Sequence, residues 1–349
     1  RQSVMGIVSN MCEVMRDSYV YKYSSPPPNQ LILFVTSLCN FKCEICFYWE
    51  KLNDTKNDLS LEEIKEISSH FKDLKLLLLS GGEPFLREDL FEVIKVFYDI
   101  NNVRKLHLPT NGYATEKTVA VTERILKELP GLKINMGISL DGLEEKHNLI
   151  SQHKSAFDNA IETQRALVDL EKKYENLVSR FYCVVTNENV EETEKVFQFI
   201  TDEFGFEKIG FSPLRGEPKE PSLEEPTSSD WDGIFEMYSK YKKNTPFSLR
   251  QYVINRKTAF INKIFSNEMS GKGLGPIECS AGDNICVIDS DGDVRVCELK
   301  KPVANLRDHD YNISSILKTK EKHTCSCTHA CFLNASLEIS PVTYVRSLL

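Results

Sequence analysis

The sequence predicts an α/β fold: a partial (β/α)6 barrel, open on one side, followed by a small C-terminal module built around a β-hairpin. Three observations lead there. Short apolar runs alternate six times with helical periodicity between residues 31 and 213. Polar and glycine-rich turns close most of those runs. After residue 275 the texture changes to two β-branched stretches flanking "SDGD", a hairpin signal.

The elements follow in order. Residues 31–35, "LILFV", read as a buried strand entering after the stiff "SSPPPNQ". Ser60 and Glu63 form a capping box, and Leu61, Ile64, Ile67 and Phe71 mark one helical face behind it. "KLLLLSGGEP" is a strand ending in a glycine turn, followed by the helix "DLFEVIKVFYDI". The pattern repeats as "VRKLHLPTNG" then "TVAVTERILKEL", and "LKINMGISLDG" then "SAFDNAIETQRALVDLEKKY". Strands "FYCVV" and "KIGFSP" flank a last helix near "EETEKVFQFI". Parallel strands with right-handed helical crossovers satisfy this rhythm. Six units fall short of the eight that close a TIM barrel, and the site of such a fold lies at the C-terminal strand ends. Those ends carry "SLCNFKC", "SGGEP", "PTNG", "SLDG" and "TNEN".

The expected boundaries are an N-terminal extension over 1–30, the barrel over 31–215, and a linker with helices over 216–274. The cysteine-bearing module takes 275–335, and 336–349 is a tail. A net charge of −8 gives no pull toward nucleic acid or an anionic membrane. No apolar run approaches the roughly 20 residues of a membrane span, and no signal-peptide pattern opens the chain. A cytoplasmic protein is expected.

Eleven cysteines are many for such a chain, and nine fall in two groups, at 39–46 and 279–331. Clustered thiols in a reducing compartment are ligands more often than disulfides. Cys39, Cys43 and Cys46 offer three thiolates on one tight loop. A structural zinc site takes four, commonly as two CxxC pairs. Three instead suit a [4Fe–4S] cubane, binding three irons and leaving the fourth open beside the strand-end pocket. A zinc loop is the competing reading.

The C-x3-C-x2-C loop after the first strand resembles that of the radical S-adenosylmethionine (SAM) enzymes. The resemblance implies a [4Fe–4S] cluster on Cys39, Cys43 and Cys46 whose open iron takes SAM. Reductive cleavage of SAM then yields a 5′-deoxyadenosyl radical that abstracts hydrogen from a substrate. Ile45 matches the residue that contacts the adenine, and Phe47 its aromatic neighbour. Gly81, Gly82, Glu83 and Pro84 match the motif that meets the SAM amino group, for which close backbone, exposed carbonyls and a carboxylate are suitable. Ser139 and Asp141, with Asn187 as a weaker counterpart, match positions for the SAM ribose and carboxylate; the bland alternative is a helix-leading turn. An Arg-Gly pair that often follows in the family is missing after His147, which leaves Lys154, His153 or Arg215 as substitutes.

The second cysteine group is similar to the family's C-terminal auxiliary-cluster module, in its short "twitch" rather than its full SPASM form. Six thiols are too few for two fully ligated cubanes, so one auxiliary [4Fe–4S] cluster is expected on Cys279, Cys297 and two of Cys325, Cys327 and Cys331; zinc is the alternative. Cys286 reads as a core thiol. Cys183, in the fifth strand, is a weak candidate hydrogen donor facing the barrel interior, against the commoner role of a buried apolar residue.

The expected function is an oxidoreductase-type radical SAM enzyme acting on a small molecule, served by an electron donor such as flavodoxin or ferredoxin. Only 38 residues precede Cys39, too few for the extra N-terminal peptide-binding domain of many peptide-modifying relatives. A peptide substrate delivered by a separate binding partner is the alternative. A non-catalytic electron carrier is the reading from another class.

Overall fold

The computed structural model describes residues 2–24, 26–242, 249–273, 275, 277–319 and 328–348. All six expected strands form: β1 Gln30–Thr36, β2 Leu76–Gly81, β3 Lys105–Thr110, β4 Lys133–Ser139, β5 Leu177–Val185 and β6 Ile209–Pro213. They pair in sequence order, each parallel to the next, as the helical crossovers require. The helices, in chain order, are α1 Gln2–Ser24, α2 Leu61–Ser69, α3 Leu90–Ile100, α4 Thr115–Glu128, α5 Glu144–Ser151, α6 Ala156–Glu171 and α7 Thr193–Phe204. At the start of α2, Ser60 and Glu63 close the capping box reciprocally.

Register separates the two faces of the sheet. Leu77, Leu106, Ile134 and Leu177 form one row, followed by Leu79, Leu108, Met136 and Ser179; this face is buried under the helices. On the other face lie Ser80, His107, Asn135, Ser139, Arg180, Tyr182 and Ser212, only partly covered or exposed. One side of the sheet is thus a hydrophobic core, and the other is a polar, open barrel interior.

The remaining elements are α8 Ser228–Lys242, α9 Leu249–Met269, β7 Ile285–Ile288, β8 Asp293–Arg295, β9 Ala304–Asn305, α10 Ile313–Lys318, α11 Ala330–Glu338 and α12 Pro341–Arg346. The hairpin β7–β8 forms as expected, but not on a detached module. β7 pairs parallel to the free edge of β1, from Gln30↔Ile285 to Leu33↔Ile288, giving one nine-stranded sheet in the order β6-β5-β4-β3-β2-β1-β7-β8-β9. The reason is the composition of β1: it is buried along its whole length, so both its edges need partners. Ser280 N–H donates to Ser336 Oγ (3.0 Å), and Asn284 Nδ2 donates to the Ala335 carbonyl (2.8 Å), fastening α11 to the chain before β7. The segments read as extension and tail are helical, and α1 packs on α9, α11 and α12. Among the described residues no helix is long and apolar enough to cross a membrane.

Candidate active site

The three-cysteine loop leaves β1 where Asp58 accepts from Ser37 N–H (2.9 Å) and the Thr36 hydroxyl (2.8 Å). Cys39 N–H donates to Asn53 Oδ1 (3.0 Å), and Cys46 N–H closes a turn onto the Cys43 carbonyl (3.2 Å). Backbone groups clamp the outside. Glu44 N–H donates to Ile150 O (2.9 Å), Lys219 N–H to Cys46 O (3.1 Å) and Glu220 N–H to Glu44 O (3.0 Å). The thiols lie close enough to influence one another. Burial raises Cys43 first, and the charges of Asp141, Cys39 and Cys46 add to it. Burial, then Glu83 and Cys46, push Cys39 up to about 11. A site that holds thiols protonated by burial is one that a cation must discharge on binding.

The second strand-end loop docks directly on this one. Gly82 N–H donates to Thr36 O (2.8 Å) and Glu83 N–H to Leu38 O (2.8 Å). A Cβ on Gly81, whose φ is +116°, would lie 2.3 Å from Thr36 O, and one on Gly82 would lie 2.2 Å from Leu38 O. These glycines therefore let two loops touch, whereas the sequence suggested close approach of a ligand. Glu83 is buried and its carboxylate turns inward. Oε1 accepts from Phe85 N–H (3.1 Å) and the Thr110 hydroxyl (3.0 Å), and Oε2 accepts from Asn111 N–H (2.6 Å). Burial pushes it up to about 7, against the pull of those donors. In this arrangement the carboxylate ties β2 to β3, and the loop's polar backbone is left for an ammonium. Pro84, also buried, opens the single turn that follows.

Ser139 is half-buried on the barrel interior, in register with Tyr182. Asp141 is buried: Oδ1 accepts from Val184 N–H (2.8 Å), its N–H donates to His147 Nδ1 (3.0 Å), and its carbonyl accepts from Asn189 Nδ2 (2.9 Å). Burial pushes the Asp141 carboxyl up to about 7. Asn187 is exposed and bonded away from the interior, with Oδ1 accepting from Glu224 N–H (3.0 Å) and Nδ2 donating to Ser222 O (3.2 Å). The side chain fastens the 216–230 stretch, which itself bonds to the cysteine loop through Lys219 and Glu220. Ile45 and Phe47 are half-buried, and the Arg215 guanidinium lies over the Phe47 ring at 5.6 Å.

Cys183 faces the helices, not the interior, which corrects the donor reading. It shares a face with Phe181, which meets Phe204 of α7 at 5.6 Å, and pairs in register with Phe211, which meets Tyr238 of α8 at 5.8 Å. A buried thiol on that side reaches no barrel ligand.

Of the far cysteines, Cys297 is buried just beyond β8, Cys279 is half-buried, and Cys331 lies in the first turn of α11; Cys325 and Cys327 lie outside the described residues. Cys286 pairs with Leu31 in the helix-covered row, as a core thiol would. Between Cys297 and Cys331 lies a cluster the sequence did not reveal. Glu298 contacts His329 Nε2 and lies 3.6 Å from Arg215. His329 is buried and the Glu298 side chain is 5% exposed, and burial followed by the Glu298 charge pushes the Cys331 thiol up to about 11. The only available signal was adjacency to those cysteines.

The donor set also bears on what the first loop could hold. Among the described residues, only Asp289, Asp291 and Asp293 bring three potential ligand atoms within 4.8 Å of one another. Thiolates on one zinc would stand about 4 Å apart, given Zn–S bonds of about 2.3 Å. The thiols of Cys39, Cys43 and Cys46 do not all lie within 4.8 Å of one another.

Residues 33–200 match the family described as the radical SAM superfamily. A cysteine-type anaerobic sulfatase-maturating enzyme from Clostridium perfringens is 26% identical over 316 residues, covering 85% of this chain and 82% of that one. An Fe-coproporphyrin III synthase from Methanosarcina barkeri is 29% identical over 188 residues, covering 53% of this chain and 44% of that one. In fold, the chain is similar to native anSMEcpe with bound AdoMet and Cp18Cys peptide, at TM-score 0.55 and 20% identity over 90% of this chain and 84% of that one. It is likewise similar to Streptococcus suis SuiB bound to S-adenosylmethionine, at TM-score 0.57 and 16% identity over 80% of this chain and 64% of that one.

Proposed function

Since residues 33–200 are a radical SAM domain, and the chain is a radical SAM enzyme, we propose that Cys39, Cys43 and Cys46 carry the cluster and the strand ends around Gly81, Gly82 and Ser139 bind SAM. One observation carries this: the glycine loop is bonded through Thr36 O and Leu38 O to the cysteine loop, and both sit at the C-terminal ends of β1 and β2, at the mouth of a polar interior. The cluster, when bound, supplies the electron that splits SAM into methionine and a 5′-deoxyadenosyl radical. The chain's own residues do the rest. Backbone carbonyls of the glycine loop take the SAM ammonium, Ile45 and Phe47 cover the base, and Glu83 and Asp141 hold the strand ends in place.

Two substrate classes were left open by the sequence, and a peptide or protein side chain is the better supported. The maturase relative spans 85% of this chain, and the similar anSMEcpe structure holds a peptide. Val178, Arg180 and Tyr182 line an exposed part of the interior where such a segment could enter. Oxidation is the proposed outcome. Cys279, Cys297 and two of Cys325, Cys327 and Cys331 would hold one auxiliary cubane, and a flavodoxin or ferredoxin would supply the reducing electron.

The test is SAM cleavage by the reduced, reconstituted protein. We expect 5′-deoxyadenosine from the parent and none from the C39A/C43A/C46A variant, which should retain about four irons per chain. Cleavage that survives the triple substitution overturns the assignment, and a parent that never cleaves SAM supports the electron-carrier reading.

A further inference from the structure

The turn between β7 and β8 gathers Asp289, Asp291 and Asp293, whose oxygens lie within 4.8 Å of one another. Into their midst reaches Lys51, its Nζ 2.9 Å from Asp289 Oδ2, 2.8 and 3.0 Å from the two Asp291 oxygens, and 2.9 Å from Asp293 Oδ2. Arg295 Nε adds a contact to Asp289 Oδ2 (2.7 Å), and Asn305 Nδ2 adds one to Asp293 Oδ1 (3.1 Å). The Asp289 side chain is 1% exposed and that of Lys51 27%. Three carboxylates this close repel unless a cation stands between them, and a lysine ammonium offers a compact charge with three donors. The place an ion would take is therefore filled by the chain itself.

What matters is where the two ends of this contact lie. Lys51 closes the one-turn helix Trp49–Lys51, on the segment that leaves Cys46, while β8 runs on toward Cys297. The same junction has the Tyr48 hydroxyl on Ser290 Oγ (3.1 Å) and Leu59 N–H on Ser290 O (2.7 Å). We infer that Lys51 is a positioning residue, a strap that fixes the three-cysteine loop against the hairpin leading to Cys297. That the strap thereby sets the separation of two clusters rests on the function proposed above; the strap itself does not.

Hydrogen exchange on the full, anaerobically reconstituted chain tests it without any turnover. In Lys51→Met and in Asp291→Asn, amides of residues 39–47 should exchange about tenfold faster or more, together with those of 290–297, while α3 and α4 keep the parent rates. Lys51→Arg should preserve most of the protection. If Lys51→Met does not fold, Asp291→Asn still reads the coupling, because it leaves Lys51 and two carboxylates in place. Acceleration confined to 290–297, or spread evenly over the chain, overturns the inference. An inactive protein with the expected exchange pattern would count against the enzyme reading alone.

Discussion

His147 shows how a single side chain at this site responds to acid. It is buried, its Nδ1 accepts from Asp141 N–H (3.0 Å), and its Nε2 has no bonding partner among the described residues. Burial holds the ring down to about 4 from an ordinary 6.5, so the native protein excludes a proton that the unfolded chain takes up. Stability from this group is complete above about pH 6.5 and is lost as pH falls toward 4, by no more than about 3 kcal/mol. Glu83 and Asp141 act in the opposite sense, since burial raises both and favours their protonated forms. The difference between parent and variant is therefore the quantity to read. His147→Asn, which keeps an acceptor, should flatten the decline in unfolding free energy between pH 6.5 and 4 in denaturant titrations. An equally steep decline would remove His147 from the account. The cysteine spacing, together with the resemblance of "GGEP" to the radical SAM motif, singled out the two loops. Neither could say that Glu83 turns inward or that Asn187 bonds to a loop some 35 positions on, since both depend on which backbone donors arrive from elsewhere.

At the scale of elements, the contact between the glycine loop and the cysteine loop is the tightest constraint. Gly82→Ala would drive a methyl group to 2.2 Å from the Leu38 carbonyl oxygen, so one of the two loops must move. The expected loss is roughly 1–3 kcal/mol in chemical unfolding, the usual range for overpacking, with weaker iron retention at the first site. A variant with parent stability and iron content would show that the loops are free to separate. The six barrel strands were readable as short apolar runs that alternate with helical periodicity, most of them closed by polar or glycine turns. The β7 hairpin was readable from "SDGD", but its partner was not, because nothing within residues 285–288 points to residues 30–33. α1 and α12 escaped notice for a similar reason: their apolar positions answer to each other and to α9 and α11, not to the barrel.

For the whole molecule, the continuous sheet predicts one cooperative unit where the sequence suggested two. Amides of β7 should show the same native-state exchange free energy as those of β1 and β3. A β7 that opens while β3 stays closed would restore an independent module. The pairing also has a consequence during synthesis. One edge of β1 receives its neighbour β2 soon after translation, but the other waits for residues 285–288. That interval is about 250 residues, or roughly 12–50 s at ribosomal rates of about 5–20 residues per second. Throughout it, a largely apolar strand offers an unpaired edge to whatever lies nearby, so the nascent chain depends on dilution or a chaperone until β7 emerges.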